Sequence, residues 1–345
     1  MVVSNPTINQ NIENLEINPK PQPDDPTSIV EEIEGVIKLY KNGYLERSIK
    51  VMSSVSPYLD SNLQVNARDI FIDKNDNIWA RIYVPKRNNN NNSLLPIVVY
   101  FYGGGFCIGS TAWKCYHDFL GKLSSEAQCV IVSINYRLAP ENLLSVAYDD
   151  GMKALMWVKQ QGNIGQTSEF WAKYCDFSSI FLGGDSAGAN IAYNVTLRHG
   201  MSNSNNIKGI VLIQPFFGGE ERTNSEISSI NVQTCKSALS LAASDIYWRI
   251  ALPLGANRNH PWCKPLQKDM KWLENIRIMI YVAENDILKD RNLGFCDVLT
   301  SNLGNQVEKF ISDGVGHAFQ ILDESTISQT RKQEMIFNIV NFIGK

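Results

Sequence analysis

Apolar runs rich in β-branched and aromatic residues recur along the chain at residues 97–101, 130–134, 180–183, 209–213, 278–282 and 307–311, with helix-like segments between them. Near-continuous apolar strands are what a parallel sheet covered on both faces requires. Strands alternating with helices predict right-handed crossovers in an open α/β sheet. Upstream, residues 67–85 alternate apolar and polar positions on either side of Lys74–Asn77, which predicts an antiparallel start to that sheet. Residues 28–48 read as an amphipathic stretch with a hairpin about Lys41–Tyr44, and the asparagine run of 87–95 as a surface loop. We expect one domain over 1–345: a flexible tail at 1–28, a cap segment at 29–60, and a cap insertion at 218–275 that carries a helical piece at 237–253.

Composition narrows the partners. With 345 residues, 44% hydrophobic and 19% charged, the chain has ample core, and a net charge of −3 offers no electrostatic reason to bind nucleic acid or an anionic membrane. No apolar run reaches the ~18 residues of a membrane span, and residues 1–28 lack the basic and apolar regions of a leader, so the cytoplasm is expected. The seven cysteines are dispersed, with no C-x-x-C pair, which suits reduced thiols rather than a disulfide framework. Histidines and acids show no metal-ligand spacing and no nucleotide motif is present, so neither metal nor cofactor is expected.

The chemistry lies in "IFLGGDSAGANIAYN". Strand-like Ile180–Leu182 runs into Gly184-Asp185-Ser186-Ala187-Gly188, and a helical run follows at once. That is a G-x-S-x-G elbow in its strand–turn–helix context, with Ser186 delivered at a helix N-terminus. A serine hydroxyl needs an adjacent base. Of the four histidines, His117 and His199 lie in helical runs and His260 in the insertion, whereas His317 sits in a Gly-flanked loop after the last strand. An orienting carboxylate is offered by Glu284, Asp286 and Asp290, with Asp286 best placed just past a strand end and Asp290 suited to bracing the next helix. The chain order Ser186, Asp286, His317 is that of an α/β-hydrolase.

Gly103-Gly104-Gly105 follows another strand but lacks the spacing of a dinucleotide or phosphate loop. Bare backbone N–H groups of Gly104 and Gly105, with that of Ala187, instead suit the oxyanion of a tetrahedral intermediate. Tyr102, Phe106, Asp185, Phe216, Phe217 and Trp248 are expected to line an apolar, aromatic pocket, as are Trp113 and Tyr247.

The runs "YGGGF", "NYRLAPE", "GGDSAGAN", "DILKD" and "GVGHAF" together resemble the plant carboxylesterase family of the hormone-sensitive-lipase group, from about residue 30 to the C-terminus. The resemblance implies a mostly parallel eight-stranded sheet flanked by helices with a helical cap. It implies ester hydrolysis by an acyl-serine route, with Ser186, Asp286 and His317 as triad and Gly103 to Gly105 with Ala187 as oxyanion hole. A small-molecule ester or acylated plant metabolite would be the substrate, and the protein a monomer or homodimer. The family places histidine, a loop brace, where this chain has Tyr102. The longer tyrosine is expected to shift the loop, and so raises an alternative: elimination or cyclisation of an acylated alkaloid-type intermediate. A receptor-like binding role, as in the related gibberellin receptor, is disfavoured by the retained His317.

Overall fold

The computed structural model describes residues 28–48, 52–58, 63–86, 93–163, 170–202, 207–231, 237–265 and 267–345. The chain divides into two compact units, Met1–Lys50 and Val51–Lys345. The expected tail therefore lies almost wholly outside the described residues, as does Cys235.

In the first unit, β1 (Ile29–Ile33), β2 (Ile37–Tyr40) and β3 (Leu45–Arg47) form an antiparallel sheet in that order. The hairpin predicted at Lys41–Tyr44 joins β2 to β3, with Gly43 at φ +86°, a conformation that favours glycine. The amphipathic stretch is thus strand and turn.

The second unit is built on an eight-stranded sheet. Its strands are β4 (Val65–Asp73), β5 (Ile78–Pro85), β6 (Leu95–Phe101), β7 (Val130–Asn135), β8 (Cys175–Asp185), β9 (Ile207–Ile213), β10 (Arg277–Ala283) and β11 (Val307–Ser312). Their order is β11-β10-β9-β8-β6-β7-β5-β4. The pairs β4–β5 and β5–β7 are antiparallel and every other pair is parallel. This is the mostly parallel sheet with an antiparallel start that the periodicity predicts. All but one residue of β6 is buried, as is every residue of β8 from Ile180 to Asp185, because helices cover both faces.

The helices that matter for the site are α1 (Lys114–Ala127), α2 (Val146–Asn163), α3 (Ala187–Met201), α4 (Asn224–Asn231), α5 (Leu241–Ala251), α6 (Lys289–Leu303), α7 (Phe319–Leu322) and α8 (Thr326–Gly344). Insertion 218–275 holds α4 and α5 and no strand among its described residues. The helical piece predicted at 237–253 is α5, whose N-cap Ser240 accepts from the Ala243 N–H at 3.1 Å. Among the described residues no helix is long and apolar enough to cross a membrane.

Strand order sets where chemistry can occur. From β6 the chain moves outward to β7, then crosses back to β8 on the other side of β6. The carboxyl ends of β6 and β8 therefore flank a topological switch point, where open α/β sheets leave a crevice. The Gly-rich loop leaves β6 there, and Ser186 leaves β8 beside it.

Candidate active site

Ser186 occupies the single residue between β8 and α3, at φ 51° and ψ −119°. A non-glycine residue in this region is strained, and a sharp strand-to-helix turn demands it. The flanking glycines let the turn close. A Cβ on Gly188 would fall on the carbonyl of Phe101, and one on Gly184 on the backbone of Gly188, both closer than any real contact. The Ser186 N–H donates to the Ile213 carbonyl at 2.8 Å, and its side chain makes no cap bond to the helix. The hydroxyl is left for another partner.

That partner is His317. Its Nε2 lies 2.8 Å from Ser186 Oγ and its Nδ1 lies 2.7 Å from Asp286 Oδ2. Asp286 accepts only, so Nδ1–H donates to it and Nε2 is left to accept the serine proton. All three side chains are buried. Asp286 is held in turn by the Leu288 N–H on its Oδ1 at 3.0 Å, and the His317 N–H donates to Ser237 Oγ at 3.1 Å. Of the rival carboxylates, Glu284 accepts from the Gly314 N–H at 2.7 Å, and Asp290 accepts from the Ser225 N–H at 2.7 Å, bracing the start of α4. The rival histidines lie elsewhere. His117 packs on Arg81 and Tyr83, His199 sits beside Lys159, and His260 against Trp262.

The glycine loop divides into an anchor and free donors. The Gly103 N–H donates to Tyr116 Oη at 2.9 Å and to Asp185 Oδ1 at 3.2 Å, so the expectation that it serves an oxyanion is corrected. The N–H groups of Gly104, Gly105 and Ala187 make no hydrogen bond among the described residues, and Gly104 and Gly105 face the same cavity as Ser186 and His317. Asp185 is the clamp. Its buried carboxylate accepts from Gly103 N–H, from Tyr100 Oη at 2.9 Å and from Tyr116 Oη at 3.0 Å, and so ties the loop after β6 to the turn after β8. Burial pushes its carboxyl up to about 6, opposed by the hydrogen bonds from Tyr100 and Tyr116. Nothing in the local pattern marks Tyr100 and Tyr116 as donors to one carboxylate, because they come from separate elements.

The cavity beside Ser186 has a volume of about 100 Å³. Asp185, Trp113 and Tyr247 line it, together with Ile108, Leu239 and Ile321, which sequence reasoning missed. The expected lining by Tyr102, Phe106, Phe216, Phe217 and Trp248 is corrected. Phe106, Phe216 and Trp248 pack on one another, the last two stacked 4.7 Å apart, and Phe217 packs on Tyr193 and Phe295. Phe106 and Phe216, each in a loop past a strand end, pack against Trp248 of α5, and rings gain from such mutual packing. Tyr102 is fully buried behind the loop, with its ring stacked on Tyr136 at 4.4 Å.

A family model described as the alpha/beta hydrolase fold matches residues 98–321. The chain belongs to the α/β-hydrolase fold family. Within that family it groups with the plant carboxylesterases and is a hydrolase of the carboxylesterase type. Probable carboxylesterase 6 of Arabidopsis thaliana is 46% identical, over 91% of this chain and 91% of its own length. A 3-O-acetylpapaveroxine carboxylesterase of Papaver somniferum is 38% identical over 64% of this chain and 70% of its own. A gibberellin receptor of Arabidopsis thaliana is 34% identical over 71% of this chain and 75% of its own. Among solved structures, the thermostable carboxylesterase EstE1 from a metagenomic library superposes with a TM-score of 0.67 at 26% identity, covering 81% of this hydrolase and 88% of that chain. In this hydrolase the match takes in both the glycine loop and the elbow, together with His317.

Proposed function

We propose that the hydrolase is a serine carboxylesterase that cleaves a small ester of plant specialised metabolism through an acyl-serine intermediate. The observation that carries this is the pair of bonds on His317, 2.8 Å to Ser186 Oγ and 2.7 Å to Asp286 Oδ2. Ser186 Oγ attacks the ester carbonyl carbon while His317 Nε2 takes its proton, and Asp286 steadies the imidazolium that forms. The carbonyl oxygen, now an anion, accepts from the N–H groups of Gly104, Gly105 and Ala187. A single donor of this kind supplies ~3 kcal/mol of barrier lowering. Collapse breaks the ester C–O bond, and the alcohol leaves with the proton from His317. Water then attacks the acyl-serine by the same route in reverse, giving the carboxylic acid and free Ser186.

The small cavity suits a short acyl group. The specialised-metabolism assignment draws on the relative that acts on 3-O-acetylpapaveroxine, an acetyl ester by its name. The elimination alternative arose from Tyr102. Here Tyr102 lies behind the loop rather than in the cavity, and the clamp through Asp185 leaves Gly104 and Gly105 free to donate, which favours hydrolysis. A receptor-like role has no use for the His317–Ser186 bond.

The test is labelling by a fluorophosphonate together with turnover of p-nitrophenyl acetate and butyrate. Stoichiometric modification at Ser186 and turnover of the acetate, both lost in Ser186→Ala, are expected. An unreactive Ser186 with no ester turnover would overturn the assignment.

A further inference from the structure

Next to the catalytic cavity lies a second, larger one of about 430 Å³. Met52, Cys115, Ile321 and Leu322 line both, so an inner chamber at Ser186 and an outer basin adjoin at these four side chains. The two differ in chemistry. Around Ser186 and His317 the inner wall is largely apolar, whereas the outer basin adds Lys114, Lys122 and Lys332 with Asp118 and Glu324.

The charges of the basin are unevenly paired. Lys114 pairs with Asp118 one helical turn on along α1, and Lys122 lies 3.8 Å from Glu126. Glu324 accepts from Gln329 Nε2 at 2.5 Å and acts on Lys114 at longer range. Lys332, half-buried on α8, has no carboxylate within salt-bridge distance among the described residues. Among the described residues it is the lysine of this basin that no carboxylate holds directly.

We propose that this basin is a substrate subsite that takes the alcohol part of the ester, and that Lys332 selects alcohols carrying an anionic group such as a carboxylate. The inference rests on the serine-esterase reading for the side of the ester involved: the inner chamber, at about 100 Å³, holds a short acyl group, and the larger remainder extends toward the adjoining basin. A single ammonium in a concave, partly solvated basin attracts an anion and orients it without burying it.

The test measures binding apart from catalysis. Calorimetry on the full chain compares 3-(4-hydroxyphenyl)propanoate with its neutral isostere 3-(4-hydroxyphenyl)propanamide. The carboxylate is expected to bind about threefold to fivefold tighter, the range a partly solvated ion pair supports, with the advantage shrinking at high salt. Lys332→Gln should remove the preference and Lys332→Glu should invert it, while both variants keep the native melting temperature. The 4-acetoxy esters of the same two compounds should show the same ratio in KM with kcat unchanged. Equal binding of the two probes by the native protein overturns the subsite. So does a carboxylate preference that persists in Lys332→Gln, which would place the anion among the free N–H groups beside Ser186. Failure of the esterase reading would appear separately, as an unreactive Ser186, whatever the binding ratio.

Discussion

Tyr102 and Tyr136 brace each other. The Tyr136 hydroxyl donates to the Tyr102 carbonyl at 2.8 Å, the Tyr102 hydroxyl reaches the Tyr136 carbonyl at 3.4 Å, and the rings stack at 4.4 Å. Tyr102 is the residue immediately before the Gly-rich loop, so this pair sets where the loop departs from β6. The space is filled: a Cβ on Gly109 would collide with the Tyr102 ring.

The brace predicts an asymmetry between two conservative changes. Tyr136→Phe leaves the buried Tyr102 carbonyl without that donor, at about 1–3 kcal/mol, and should lower both the melting temperature and kcat. Tyr102→Phe removes the longer bond and should do less of each. Denaturant melts and p-nitrophenyl acetate kinetics on both variants check this, and equal effects would mean the stacking rather than the hydroxyls holds the loop.

If Ser186, His317 and Asp286 act as one unit, their losses do not add. Ser186→Ala and His317→Ala should each lower kcat by about a millionfold, and the double variant no further. Asp286→Asn, which keeps the shape but reverses the tautomer preference at His317, should cost about 10⁴-fold. Single-turnover kinetics on the four proteins decide it.

Asp185 should leave a signature in stability against pH. Its folded carboxyl is raised from 3.8 to about 6. Between about pH 4 and 6 the folded state therefore holds a proton that the unfolded chain has released, and stability falls as pH rises through that window. The difference in unfolding free energy between the native protein and Asp185→Asn should decline across it by something on the order of 3 kcal/mol, and stay flat above about pH 7. A difference that rises with pH would reverse the assignment of burial as the dominant cause.

Neighbouring glycines should differ sharply. Gly188→Ala drives its methyl into the Phe101 carbonyl, whereas the nearest atom to a Cβ on Gly183 is a Tyr100 ring carbon at an ordinary 3.4 Å. Gly188→Ala should lose at least about 3 kcal/mol or fail to fold, and Gly183→Ala should change stability by less than about 1 kcal/mol. Chemical denaturation of the two variants measures it.

The buried aromatics should separate stability from selectivity. Phe216→Leu breaks the stack on Trp248 and is expected to destabilise by about 1–3 kcal/mol without changing the ratio of acetate to hexanoate turnover. Tyr247→Leu removes a wall of the inner chamber, against which Gly105 packs, and should shift that ratio toward longer acyl chains. Acyl-length profiles of both variants distinguish the two roles.

Much of this arrangement was legible along the chain because it depends on local spacing. Short apolar runs rich in β-branched residues favour covered strands, so the parallel sheet and its antiparallel start follow from periodicity and run length. The elbow around Ser186 is written in five consecutive residues, since glycines must flank a turn that no larger side chain can enter. The loop position of His317 and the strand-end position of Asp286 follow from the same element map. What the tertiary structure alone decided is which groups meet when distant segments converge. Gly103 anchors while Gly104 and Gly105 remain free, because Tyr116 and Asp185, from different elements, both accept from its N–H, and Tyr100 donates to the same Asp185 carboxylate. Phe216, Phe217 and Trp248 turn inward because aromatic rings brought together by packing satisfy one another first. A one-dimensional pattern records where a side chain sits on its own strand or helix; only the packed chain settles which neighbour fills the space before it.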